Sequence, residues 1–147
     1  MRRPKHNRLT RSDVRQLLAL YDDDTAQFAE RVGVDRRRVQ KWVYESQPHG
    51  PVPMTSSSHA TLLWLRAQGG NRQGRARVAA ALRLKRGQPV VVMVRGCKTK
   101  GKVLEVRDGG AALLVTVDQP HRGPQEGGPG GDVELEVLTS YITSLVT

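Results

Sequence analysis

The sequence predicts an α+β chain: an N-terminal unit of four to five helices followed by a small C-terminal antiparallel β-barrel. Up to residue 69, apolar residues recur at helical spacing between capping residues. Beyond Gly87 the pattern changes to short β-branched runs punctuated by glycine-rich turns. Between the two, residues 70–87 are rich in glycine and arginine and read as a flexible basic linker with a short helix across RVAAALRLK. The expected division is therefore 1–69, 70–87 and 88–147.

In the first unit Val14, Leu17, Leu18 and Tyr21 fall at i, i+3, i+4 and i+7, which places one apolar stripe on a first helix. Thr10 and Asp13 have the spacing of a capping box at its start. A second helix is expected within DDDTAQFAERV, with Asp24 as its cap, Gln27 returning the bond, and Phe28, Ala29 and Val32 facing inward. Gly33 supplies the left-handed position that ends this helix, and Asp35 caps the next one after a very tight connection. Val34 and Val39 have the spacing of a hydrophobic staple, and Val39, Trp42 and Val43 form the inward stripe of helix three. After the loop SQPHGPVPMTSSS, the segment SSHATLLWLRAQ places Ala60, Leu63, Trp64 and Ala67 at helical spacing and reads as a fourth helix.

The C-terminal third offers five short strands, PVVVMV, KVLEV, AALLVTV, DVELEVL and TSLV, with a hairpin across GCKTKG and a single helical turn at TSYI. Val133, Leu135 and Val137 alternate with Glu134 and Glu136, so that strand has one buried and one wet face. The pattern resembles a small SH3-like or Sm-like barrel.

Lys plus Arg number 24 against 14 for Asp plus Glu, a formal charge of +10 that favours polyanionic partners. The charge is uneven: residues 1–69 carry a net +5, residues 70–87 a net +6, and residues 88–147 a net −1. A polyanion is therefore expected to meet the N-terminal two thirds. Cys97 is the single cysteine, which excludes an intramolecular disulfide, suits a reducing cytoplasm and reads as a small core residue. No apolar run approaches a membrane span, so the chain is expected to be soluble and cytoplasmic, without a membrane partner.

Enzymatic readings find little to stand on. His6, His49, His59 and His121 fall in an arm, in loops or at a cap position, with no Cys/His spacing that suits zinc. Asp22, Asp23 and Asp24 precede a helix and are more simply a cap and dipole partner than a metal cluster. GGPGG is followed by a strand, not a helix, so it is no phosphate-binding loop. No catalytic residue, metal or cofactor is expected.

Helix three begins with three consecutive arginines, Arg36, Arg37 and Arg38. Arg at a helix N-terminus opposes the macrodipole by about 0.3 to 1 kcal/mol per charge, so the run points to a role outside folding. With Val39, Trp42 and Val43 inward, Arg36, Arg37, Gln40, Lys41 and Tyr44 face outward, with Arg38 at the edge. Arg can bond bidentately to guanine and Gln to adenine, Lys can meet guanine or phosphate, and a major groove admits one such helix. Two helices joined by a tight turn, the second carrying these groups, form a helix-turn-helix. MRRPKHNR ahead of helix one has the composition of a basic arm along phosphates or a minor groove.

Over residues 9–67, TAQFAERVGVDRRRVQKW and its surroundings resemble the helix-turn-helix of the Cro and lambda-repressor (XRE) superfamily. The resemblance rests on Ala29 in helix two, Gly33 in the turn, Val39 and Trp42 in helix three, and a Pro-containing loop before the last helix. It implies base contacts from Arg36, Arg37 and Gln40, and backbone contacts from Thr25, Arg38, Lys41 and Tyr44. The chain departs from the family in having Thr25 where Gln is frequent and Tyr44-Glu45-Ser46 where Gly is frequent. The implied function is a sequence-specific double-stranded DNA-binding transcriptional regulator, a repressor of phage, plasmid or antitoxin type, acting as a homodimer through the C-terminal barrel. The alternative is a DNA-binding assembly or architectural protein such as a small DNA-packaging subunit. RNA binding through the barrel and the RGRARV segment stays open.

Overall fold

The computed structural model describes residues 9–94, 96–118 and 132–143. Five helices precede four strands: α1 (Arg11–Leu20), α2 (Thr25–Val32), α3 (Arg36–Gln40), α4 (Ser56–Gln68), α5 (Arg72–Leu82), β1 (Pro89–Val94), β2 (Cys97–Arg107), β3 (Ala112–Asp118) and β4 (Asp132–Leu138). The basic arm at residues 1–8, the Gly/Pro-rich loop and most of the expected TSLV strand lie outside the described residues.

The caps fall where the side chains dictate. Thr10 and Asp13 close a capping box on α1, and Asp24 and Gln27 do the same on α2. Gly33, at φ +85°, ends α2 in the left-handed conformation that an L side chain avoids, and Asp35 accepts from the Arg38 amide to start α3. The helix continues past Gln40 as a wide π-type turn, Lys41–Glu45, in which the Ser46 amide donates to the Lys41 carbonyl. That widening is compatible with burial of both Trp42 and Val43, while Lys41 and Tyr44 stay outside.

Two expectations for the later helices are corrected. On α4 the buried side chains are Ser58, His59, Leu62 and Leu65, whereas Ala60 and Ala67 are exposed and Trp64 is 61% exposed. The stripe through Trp64 has helical spacing, yet the core is met by the stripe through Leu62. The stretch after residue 69 does hold the expected helix, but it begins at Arg72, ahead of RVAAALRLK, and is capped and packed where the composition reads as a flexible linker. The Asn71 side chain accepts from the Gly74 amide and donates to the Tyr21 carbonyl. A Cβ on Gly74 would collide with the Leu20 backbone, so the glycine that reads as linker flexibility is a point of close helix crossing.

The strands form one antiparallel sheet in the order β1-β2-β3-β4. It is open among the described residues, where a closed barrel was expected; one isolated bridge, Val92 to Ile142, brings the C-terminal segment against β1. The expected hairpin across GCKTKG is also corrected: β2 already begins at Cys97, so the turn precedes it and Lys98, Lys100 and Lys102 lie within the strand. Cys97 is exposed at that strand end, where the core no longer reaches, and is not a core residue.

Each of the two apolar cores is shared between helices and sheet. Leu17, Phe28, Val39, Trp42 and Leu62 pack with Ala112 and Leu138 of the sheet, and Val90, Val92, Val115 and Ile142 pack with Ala81 of α5. No helix among the described residues is long and apolar enough to cross a membrane.

Candidate nucleic-acid interface

α3 and its π-type turn carry the basic face. Arg36, Arg37, Arg38 and Lys41 are exposed, Gln40 is half-buried, and Tyr44 is 45% exposed. Val39, Trp42 and Val43 anchor the opposite side in the core. The exposed group divides into two edges, because residues four apart share a helix face.

One edge, Arg36, Gln40 and Tyr44, runs toward the sheet. The Arg36 Nε donates to the Thr25 hydroxyl at 3.2 Å. Thr25 is itself 2% exposed, and its amide donates to the Tyr141 hydroxyl at 3.2 Å. Thr25, expected to contact a DNA backbone, is buried and accepts from Arg36. Sequence reasoning missed Tyr141 because nothing in TSYI signals contact with a helix more than a hundred residues earlier.

Burial pushes the Tyr44 phenol up to about 12, and the neighbouring Tyr141 and Glu136 act in the same direction. Arg15 and Arg36 pull the other way without prevailing. The phenol is therefore a neutral hydrogen-bond donor at physiological pH, able to face a phosphate without charge repulsion.

The other edge, Arg37 and Lys41, stands in solvent. Beside it Arg38, Lys41 and Trp42 border a cleft of about 470 Å³ against Val52, Met54 and Thr55 of the loop leading into α4. Thr55 caps α4 by accepting from the Ser58 amide.

The helix is held in place by a residue the sequence did not single out. Arg15 on α1 is 2% exposed; its Nε donates to the Val43 carbonyl at 2.8 Å, and its two terminal nitrogens reach Asp108 at 2.9 Å and Glu136 at 3.0 Å. A cation thus satisfies a carbonyl in the π-type turn that ends the α3 helix, where the macrodipole favours positive charge. A second buried arginine, Arg77 on α5, reaches Asp22 at 2.7 Å and donates to the Ile142 carbonyl. The sequence signal for both is weak: an arginine inside an amphipathic helix ordinarily lies on the wet face.

The three acidic residues before α2 are also accounted for. Asp24 caps the helix, Asp23 takes two hydrogen bonds from Arg31, and Asp22 pairs with Arg77. Set against family models, curated proteins and solved structures, the chain matches none of them.

Proposed function

We propose that this chain is a sequence-specific double-stranded DNA-binding regulator, a repressor whose helix-turn-helix resembles that of the Cro and lambda-repressor superfamily. The observation that carries the reading is the outward face of α3. Arg37, Arg38 and Lys41 are exposed with no carboxylate ion pair among the described residues, while Val39, Trp42 and Val43 fix the helix from behind.

In this reading α3 enters the major groove. Arg37 and Gln40 address base edges, Arg36 does so from the position in which Thr25 holds it, and Lys41, Arg38 and Tyr44 meet the flanking phosphates. One such helix covers few base pairs, so the regulator acts as a homodimer on two half-sites. The sheet unit joins the copies, and the contact of Ile142 with β1 supports reading it as a small SH3-like barrel.

The test is selection of binding sites from a random duplex library at about 0.15 M salt, where nonspecific charge no longer dominates. An enriched palindrome with half-sites about 10 base pairs apart is the expected result. Binding without enrichment would replace the regulator with an architectural or packaging role, and no binding would remove both.

A further inference from the structure

We infer that the β1–β2 hairpin is a second DNA-contacting element, holding the sugar-phosphate backbone of the duplex read by α3 through Lys98, Lys100 and Lys102. The inference rests on the duplex-DNA reading above and adds a surface to it.

Lys98, Lys100 and Lys102 occupy alternate positions of β2 and all three are exposed. Alternate residues of a strand share one face and stand about 7 Å apart, so three ammonium groups form a row in which each can meet a different phosphate. The opposite face carries Val90, Val92 and Val103 into the core, which fixes the lysines on the outside.

The row is aimed by its partners. Residues directly opposite on antiparallel strands lie on the same face, and Met93 is opposite Lys98. Met93 lines a cleft of about 590 Å³ whose other walls include Arg36, Ala26 and Gln27. Met93 thus places this end of the hairpin at the cleft that the first residue of α3 and the first turn of α2 also line, with the lysine row leading away from it along β2. A backbone lying beside α3 at that end meets the hairpin next.

Acidic groups do not cancel the row. Asp22 and Asp24, which also border the cleft, are engaged by Arg77 and by the Gln27 amide. Farther along the outer face, Glu105 and Glu136 are paired with Arg107, and Glu136 also with Arg15, while Glu134 on β4 stands two strands from Lys102 across Thr116. The near-neutral charge of residues 88–147 thus conceals a segregated surface, with the lysines on β2 at the hairpin and Glu134 and Glu136 on β4.

The test compares the full chain with K98Q/K100Q/K102Q and K98R/K100R/K102R on the selected duplex and on an unrelated one, from 0.05 to 0.3 M salt, by fluorescence anisotropy. Each lost phosphate contact lowers the slope of log affinity against log salt by about 0.9. The glutamine variant is expected to weaken binding to both duplexes and to lose about two to three units of slope, with its base preference and thermal midpoint unchanged. The arginine variant is expected to match wild type. An unchanged slope in the glutamine variant, with wild type binding duplex normally, would overturn the hairpin contact and leave the α3 reading standing. Failure of wild type to bind any duplex would overturn both. Tighter binding of single-stranded RNA than duplex, lost in the glutamine variant, would overturn the assignment of this surface to duplex DNA.

Discussion

The Nη2 of Arg15 lies 3.0 Å from the Oε1 of Glu136, while the Nε of the same guanidinium donates to the Val43 carbonyl. One side chain of α1 therefore joins the π-type turn after α3 to β4. Replacing a buried pair by apolar groups is often neutral, but deleting one partner leaves the rest uncompensated. The relation between α3 and the sheet unit accordingly depends on this arginine.

Arg15→Ala strands the Val43 carbonyl and the Asp108 carboxylate and leaves Glu136 to Arg107. The expected loss is about 3 kcal/mol, the low end for a broken buried pair because Asp108 and Glu136 are partly exposed. Urea denaturation measures it, and a loss below about 1 kcal/mol would show that the guanidinium is not holding the two units together.

Glu136 makes this junction acid-sensitive. Burial alone would raise its carboxyl, but hydrogen bonds from Arg15 and Arg107 outweigh it and hold the group below its ordinary value of 4.5. A folded value below the unfolded one means that the unfolded chain binds more protons, so the contribution is complete above the ordinary range and is lost as pH falls through the folded value. Below about pH 4.5 wild type should lose stability more steeply than Glu136→Gln. Parallel urea midpoints for the two proteins from neutral pH down to pH 3 would contradict the pairing.

Gly74→Ala tests the crossing of α5 over α1. Alanine is the better helix former by about 1 kcal/mol, yet its Cβ meets the Leu20 backbone. A net loss of about 1 to 3 kcal/mol is expected from the forced displacement. A more stable variant would mean that α5 does not pack there.

The inward face of α4 can be settled by a pair of truncations. Leu62→Ala should cost about 2 to 5 kcal/mol, and the exposed Trp64→Ala should stay within about 0.5 kcal/mol. The reverse order would restore the face read from spacing alone.

Thr25 should act on DNA only through Arg36. Thr25→Val removes the acceptor at 3.2 Å while keeping the side-chain volume close, and should reproduce part of the affinity loss of Arg36→Ala. In an Arg36→Ala background Thr25→Val should add nothing further; an additive loss in the double variant would give Thr25 a contact of its own.

The parts of the fold legible in the sequence were those governed by neighbours along the chain. Asp24 with Gln27, Gly33, and the trio Val39, Trp42 and Val43 act within a few residues, and their spacing specifies their geometry. The face of α4 was not legible, because Trp64 and Leu62 each lie on a stripe of helical period and only the partner chooses between them. Gly74 was misread because a close crossing and a flexible joint use the same residue. At the site, the basic face of α3 followed from local period, whereas the roles of Arg15, Thr25 and Tyr141 depend on contacts made across the chain. Lys98, Lys100 and Lys102 carried a readable period of two that a sum of charges over residues 88–147 obscured.

The most direct measurement is site selection from one random duplex library with wild type and with Arg37→Ala in parallel. Arg37 stands on the solvent edge of α3, away from the Arg36–Thr25 junction. If α3 reads bases, the variant keeps the wild-type site but loses preference at a single position in each half-site, with about 1 to 3 kcal/mol lower affinity. Identical selected profiles for the two proteins would contradict base readout by α3.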